Sequence, residues 1–245
     1  MTWYYDDTFE GFLTTVFAIY KSKDTAPLIF KEQEAQLGLG VSQVVGTDVV
    51  RATRVKRKLE SFAKELPHRL YCAWLSNEVN IEQQLFAFIQ ECISQNRDIT
   101  SQHYRDNVIA VLAAARKVSS DAYQYTKFIR FFHVAPKVYL ADIEPEYDIL
   151  EMLTGEFEDR LEGCNFLIRD LKRRKCLVWN QVQYWVSYEE HLLEPRTPQA
   201  GNYEELWQTY FKHIAIPERI NPKLQTLHVP KRYRKFMTEF ASNPP

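Results

Sequence analysis

The spacing of hydrophobic residues changes once along the chain, near residue 125. Before that point, apolar residues recur every three or four positions, which is typical of helices that bury one face. After it, apolar and polar residues alternate with a period of two, which is typical of strands. The helices predicted in the first half cover residues 9–20, 52–66, 80–94 and 103–123.

The strands predicted in the second half are short and separated by recognisable turns. They cover residues 127–134, 138–143, 165–170, 176–179 and 182–186, after a first aromatic strand at 3–5. We expect one hairpin around Ala135-Pro136 and another around the basic turn 172–175, with a helix at 148–160 between them. The pattern predicts an α+β fold: a central antiparallel sheet flanked by helices, with a helical N-terminal half and a helical C-terminal tail.

Capping residues indicate where several helices begin. Asp7 and Glu10 form a predicted capping box ahead of the first helix. Asn80 is expected to cap the helix at 80–94, and Pro230 to stand in the first turn of a last helix. Residues 28–46 show no clear period, so no element is predicted there.

The size of the chain suits one large domain. Its 245 residues are 45% hydrophobic and 14% aromatic, which is enough to bury a full core. We predict a single domain over residues 1–245, within which a helical subdomain at 8–124 packs on a sheet-containing subdomain at 125–245.

Cysteine spacing and the absence of long apolar runs bear on location. The four cysteines form no CxxC pair, which favours free thiols in a reducing compartment. The N-terminal residues do not resemble a leader, and no apolar run approaches the roughly 20 residues that a membrane helix needs. These features predict a cytoplasmic protein of bacterial type without a membrane partner.

Charge is distributed unevenly along the chain. Residues 207–235 contain seven Lys/Arg against one acid, whereas the whole chain has a net charge of −1. Polar and aromatic residues lie among these cations, a mixture typical of surfaces that bind single-stranded or distorted nucleic acid. Trp207, Tyr210 and Phe211 lie at helical spacing and fit the core better than a stacking surface.

A set of candidate nucleic-acid contacts follows from this distribution. It comprises Arg130, Lys212, Arg219, Asn221, Lys223, Gln225, Lys231, Arg232 and Tyr233. The Arg130 side chain, expected beside Phe128 and Phe132 on one strand, either packs its stem on the rings or pairs with an acid such as Asp170. Two other basic groups, Arg51/Arg54/Lys58 and the turn 172–175, fit ordinary solvated faces better than binding sites.

Candidate catalytic residues are few. The six histidines show none of the usual zinc-site spacings, and no glycine-rich phosphate loop is present, so we predict neither a metal site nor a cofactor. Asp142 and Asp170 each end a predicted strand, where two acids close together act as acid and base or bind a metal. Strand-end aspartates more commonly cap turns.

Several dispersed segments together resemble a bacterial family assigned to DNA metabolism, whose members carry a domain of unknown function. The segments are residues 4–11 (YYDDTFEG), 16–17, 47–48, 117–118, 128–131, 145–160, 168–170, 206–212 (LWQTYFK), 219–225 and 229–233 (VPKRY). Some members of that family are fused to a uracil-DNA-glycosylase-like domain, and others act beside a radical-SAM protein of DNA repair. The resemblance implies a role in DNA metabolism and covers nearly the whole chain.

One departure from the family pattern affects the expected function. After Asp121 the family pattern has His-Arg ahead of the strand, and this chain has Tyr123-Gln124 there. If the His-Arg pair does chemistry in relatives, this chain lacks it.

Three classes of function are consistent with these features. The first, which we favour, is a nucleic-acid-binding or adaptor component of DNA metabolism or repair. The second is a hydrolase of DNA bases or nucleotides that uses Asp142 and Asp170. The third is a protein-interaction partner of a radical-SAM repair enzyme. Whether the chain is an enzyme is left open.

Overall fold

The structure is a computed structural model that describes residues 1–32, 42–189, 222–237 and 240. The chain divides into two compact units, residues 1–119 and 120–245. Helix α5 (Asp106–Phe128) contains the boundary between them. Among the described residues, no helix is both long enough and apolar enough to cross a membrane.

The first unit combines a small parallel sheet with helices. Its elements are β1 (Thr2–Tyr5), α1 (Phe9–Ser22), β2 (Leu28–Lys31), β3 (Ser42–Val45), α2 (Val49–Glu60), α3 (Leu66–Leu75) and α4 (Ile81–Gln95). The sheet has the order β2-β1-β3, and both pairings are parallel. Parallel strands need a crossover connection, and helix α1 provides it between β1 and β2.

The central strand β1 and the helices form the core of this unit. Trp3 and Tyr5 alternate with more exposed residues and are buried. Helices α1 and α4 bury Phe12 and Phe88, as their apolar spacing predicts. The predicted strand at 3–5 and the helices beginning near residues 9, 52 and 80 are confirmed. Strands β2 and β3 and helix α3 were not predicted.

Helix α1 begins at a different cap from the one predicted. Thr8 is the N-cap residue, and its Oγ1 accepts a hydrogen bond from the Gly11 amide at 2.9 Å. The prediction that Asp7 caps this helix is wrong: Asp7 has a left-handed backbone with φ 57°, and its carboxylate pairs with Lys31 at 2.8 Å. Asn80 does stand at the start of α4, but its side chain makes no capping hydrogen bond.

A polar network joins the start of α1 to the start of α2. The Asp6 carboxylate accepts hydrogen bonds from the Thr8 amide and hydroxyl and from the Thr47 amide. Burial raises the pKa of Asp6, but the hydrogen bonds from Thr47 and Thr8 outweigh it, so the pKa lies below its usual value. Asp48 then caps α2 by accepting from the Val50 and Arg51 amides.

The second unit is built on a five-stranded sheet. Its elements are β4 (Phe132–Ala135), β5 (Val138–Ile143), a 3₁₀ turn (Leu150–Leu153), α6 (Thr154–Arg160), β6 (Asn165–Asp170), β7 (Lys175–Trp179), β8 (Tyr184–Ser187), α7 (Pro222–His228) and α8 (Lys231–Arg234). The strand order is β4-β5-β6-β7-β8. Only β5 and β6 pair in parallel, so the sheet is mostly antiparallel and the predicted α+β class is confirmed.

Several boundaries differ from the prediction, and the helix predicted at 52–66 ends at Glu60. Helix α5 continues to Phe128, so Phe128 and Arg130 do not lie on a strand with Phe132. The helix predicted at 148–160 is a 3₁₀ turn followed by the short helix α6. The core beneath the sheet includes edge-to-face contacts of Phe131 with Phe157 and Phe166, at 4.9 and 5.9 Å between ring centroids.

All four cysteines are free. Cys72, Cys92 and Cys176 are buried, and Cys164 is half-buried. Burial raises the pKa of Cys92 to about 11 and that of Cys176 to about 12, so both thiols are protonated at neutral pH.

Candidate functional site

The structure describes only part of the predicted contact set in the tail. Residues 190–221 lie outside the described residues, and they include Lys212, Arg219 and Asn221. The side chain of Gln225 is not described either. The Lys223 and Lys231 side chains are exposed. Arg232 and Tyr233 belong to helix α8, which packs on residues of its own unit.

Arg232 holds α8 against two acids. Its Nη2 donates to Asp121 Oδ1 and its Nη1 to Glu146 Oε2, both at 3.0 Å. The Asp121 side chain is 1% exposed, whereas the Glu146 side chain is 55% exposed. One branch of the guanidinium therefore pairs with a buried carboxylate and the other with a solvated one.

Tyr233 also holds α8 in place, through its ring and its hydroxyl. Its ring is 3% exposed and packs on Tyr125 and Phe128, at 4.9 and 5.1 Å between centroids. Its hydroxyl donates to Asp121 Oδ1 at 2.9 Å. Burial and the Asp121 carboxylate raise the pKa of Tyr233 to about 12, so the hydroxyl keeps its proton. In this arrangement the ring packs within the unit and does not offer a face for base stacking.

Removing the Tyr233 hydroxyl tests this contact. We expect Tyr233→Phe to lower the free energy of unfolding by about 1–3 kcal/mol, because a buried carboxylate loses a hydrogen-bond donor. Urea unfolding measures the change. Tyr123→Phe is the control, since Tyr123 lies on the same helix as Asp121 and its side chain is exposed. Equal effects of the two substitutions would contradict a specific role for the Tyr233 hydroxyl.

The two cations that follow Tyr233 also have partners. Lys235 Nζ pairs with Glu144 Oε1 at 2.5 Å, and Arg234 Nε donates to the Val229 carbonyl at 3.0 Å. Glu144 and Glu146 both lie in the acidic loop, residues 144–148, which follows β5. The charges of Arg232 and of Lys235, which directly follows α8, are therefore balanced by this loop and by Asp121.

Asp142 has a buried cationic partner. Arg169, whose side chain is 3% exposed, donates through Nε to Asp142 Oδ1 at 2.5 Å and through Nη2 to Asp142 Oδ2 at 2.7 Å. The two residues are register partners on β5 and β6, so their side chains lie on the same face of the sheet. This two-point geometry is a strong form of carboxylate pairing.

Asp170 lies on the opposite face. Its register partner is Ile143, the neighbour of Asp142, and successive strand residues point to opposite faces. Asp170 accepts from the Arg173 amide and from Arg173 Nη1. Burial raises the pKa of Asp170 despite these bonds. The structure therefore does not bring Asp142 and Asp170 together.

The expected pairing of Arg130 with Asp170 is not observed. Arg130 follows the end of α5 and donates through Nη1 to the carbonyls of Lys127 and Ile129. Among the described residues, no group of three or more His, Cys, Asp or Glu is arranged to hold a metal ion.

A cluster of exposed cations lies on helix α2. Arg54, Lys56 and Arg57 are exposed within a single turn, and none of them forms an ion pair within the described part of the chain. The apolar positions Ala52, Val55 and Leu59 bury the other face of the helix. We call the five cations of this helix the α2 basic face: Arg51, Arg54, Arg57 and Lys58 lie together on its solvent side, and Lys56, about 160° around the helix from Arg54, lies at its margin.

Two members of the α2 basic face are held in place by neighbours. Arg51 pairs with Asp48 at 3.0 Å, and Lys58 donates to Asn96 Oδ1 at 2.9 Å. Arg51 and Arg54 both lie over the Phe17 ring, at 5.9 and 5.7 Å from its centroid. These are cation–π contacts of the guanidinium groups themselves, and Arg54 remains exposed to solvent beside the ring.

The sequence reading missed some of these residues. Lys56 and Arg57 were not included with Arg51, Arg54 and Lys58, although residues 56–58 form an unbroken basic run. Nor were Glu144 and Glu146 connected with the tail, although three acids in residues 144–148 complement its charge.

Comparison with known proteins places the chain in a family. No curated protein matches the sequence. The sequence profile of a domain of unknown function, DUF4130, matches residues 79–239, about two thirds of the chain. That region includes α4, α5, the five-stranded sheet and α8, whereas the α2 basic face precedes it. The chain therefore belongs to the family that carries the domain of unknown function DUF4130.

Proposed function

We propose that the protein is a nucleic-acid-binding component of DNA metabolism or repair, and that the α2 basic face contacts phosphates. The observation that carries this proposal is the exposure of Arg54, Lys56 and Arg57 without an acidic partner among the described residues. Cations already paired with acids must break those pairs before they bind phosphate. Arg54, Lys56 and Arg57 have no such pairs to break among the described residues.

The dimensions of α2 fit a phosphate backbone. Arg51 and Lys58 are seven residues apart, which corresponds to roughly 10 Å along a helix that rises 1.5 Å per residue. Phosphates of one DNA strand are about 3.4 Å apart along the duplex axis, so a helix laid along that axis would span about three of them. Binding of this kind releases counterions, depends steeply on salt and tolerates many sequences.

The proposed function does not require catalysis. A hydrolase that uses Asp142 and Asp170 together is not favoured, because each acid has its own arginine partner and the two lie on opposite faces of the sheet. If nucleic acid does not bind, the favoured alternative is an adaptor protein that docks a radical-SAM enzyme.

The triple variant Arg54→Ala, Lys56→Ala, Arg57→Ala tests the proposal. We expect it to weaken binding of a short fluorescent DNA oligonucleotide at least about tenfold at low salt, and to reduce the slope of log K against log salt by about 2. Fluorescence anisotropy of single-stranded and duplex DNA between about 50 and 200 mM salt measures both quantities.

A matched control removes the same charge elsewhere in the first unit. Lys23, Arg69 and Arg116 are exposed and lie at the end of α1, in α3 and in α5. Their triple alanine variant should change affinity by less than a third as much as the α2 variant. Equal weakening by both variants, or unchanged binding by the α2 variant, would show that this face does not bind DNA.

A further inference from the structure

Arg232 in α8 and Lys235, which directly follows it, are paired with carboxylates of the protein itself. Glu144 and Glu146 occupy Lys235 and the Nη1 branch of Arg232, and the carboxylate geometry they offer resembles that of a phosphate. The acidic loop is therefore positioned to compete with any phosphate that approaches α8.

The pairs with the acidic loop are exposed and exchangeable. The Lys235 and Glu146 side chains are each 55% exposed, and Arg232 is 49% exposed. Exposed ion pairs of this kind contribute little stability and are screened by salt. Their exchange for other anions therefore costs little.

The contacts with Asp121 are of a different kind. Asp121 Oδ1 accepts from Arg232 Nη2 and from the Tyr233 hydroxyl, and the Asp121 side chain is 1% exposed. Asp121 Oδ2 is buried and has no hydrogen-bond partner. Arg232 is the only cation paired with the Asp121 carboxylate in the described residues, and a buried carboxylate without a cation is costly. The pair between Arg232 Nη2 and Asp121 should therefore persist when the pairs with the acidic loop break. Helix α8 thus stays in place while its outer partners change.

We propose that Lys231, Lys235 and the Nη1 branch of Arg232 form a second phosphate-binding site, which the acidic loop occupies when nucleic acid is absent. Lys231 is exposed and lies four residues, about one helical turn, before Lys235, so it adds a cation to the site. The ligand class is a phosphodiester backbone, and Glu144 and Glu146 act as the internal competitor. This inference rests on the proposed function for its ligand, but it concerns a different unit of the chain.

The variant Glu144→Gln, Glu146→Gln in the full chain tests the competition. It keeps the size of both side chains and removes the competing charges. We expect it to bind single-stranded DNA at least threefold more tightly than the native chain at low salt. The gain should disappear when Lys231→Ala and Lys235→Ala are added, because the freed cations are then absent.

The control is Asp159→Asn, Glu162→Gln, which neutralises two exposed acids of the same unit. An equal gain in this control would attribute the effect to net charge and overturn the proposal. So would the absence of any gain in Glu144→Gln, Glu146→Gln.

Inorganic tripolyphosphate separates this proposal from the proposed function. It carries phosphates without bases or sugars, and calorimetric titration measures its binding. The Glu144→Gln, Glu146→Gln chain should bind tripolyphosphate more tightly than the native chain, whether or not the α2 variant shows that DNA binds at α2. Equal affinities of the two chains for tripolyphosphate overturn the second site regardless of the DNA result.

Discussion

Replacing Arg169 with methionine should lower the free energy of unfolding by about 3–5 kcal/mol. The substitution removes both hydrogen bonds to Asp142 and leaves that carboxylate, 21% exposed, without this cation in a largely apolar sheet. Methionine keeps much of the side-chain volume, so the effect reports the lost charge more than a cavity. Urea unfolding of the two chains measures the difference.

Two further variants identify the cause of the Arg169 effect. Arg169→Met combined with Asp142→Leu should recover most of the loss, because a buried ion pair replaced by apolar residues is often close to neutral. Arg51→Met breaks a pair whose side chains are 48% and 38% exposed, and should cost less than about 1 kcal/mol. A small cost for Arg169→Met alone would mean that the pair adds little to stability.

Gly11→Ala is expected to destabilise the first unit by about 2–3 kcal/mol, although alanine usually stabilises a helix. A Cβ at position 11 would lie 2.0 Å from Asp6 Oδ1 and 3.0 Å from Thr47 Oγ1. Asp6 cannot simply move away, because Oδ1 accepts from the Thr8 amide and hydroxyl. The methyl group therefore disrupts the network that joins α1 to α2, and thermal or urea unfolding measures its cost.

Gly155→Ala is the matched control for Gly11→Ala. Position 155 lies in α6, and no atom lies within 4 Å of a Cβ built there. This change should be neutral or stabilise by about 0.5–1 kcal/mol. If Gly11→Ala behaves in the same way, the close approach of Asp6 does not constrain the helix. In an Asp6→Ala background, Gly11→Ala should cost much less.

Hydrophobic period predicted the long helices and the antiparallel hairpins, because these elements bury one face over many residues. It did not reveal β2 and β3, because their sequences, LIFK and SQVV, do not alternate between apolar and polar residues. The cap of α1 was misplaced by one residue because Asp7 and Thr8 are both good N-cap residues. The left-handed backbone of Asp7 decides between them, and it appears only in the structure.

The candidate site was harder to predict than the fold, because a run of basic residues in the sequence does not show which acids pair with it in the structure. The tail and α2 are both basic in sequence, and the tail is richer in polar and aromatic residues. The acids that pair with Arg232 lie 86 and 111 positions away along the chain, so their contact depends on the fold. On α2, Arg54, Lys56 and Arg57 meet no such acid among the described residues.

The packing of Tyr233 determines where a stable expressed fragment of the second unit has to end. A fragment that stops before residue 231 would uncover the rings of Tyr125 and Phe128 together with the Asp121 carboxylate. Exposed rings beside an unpaired acid favour aggregation and misfolding. Expression of this unit by itself should therefore carry the sequence through α8, and a C-terminal tag belongs beyond Met237, which is itself buried.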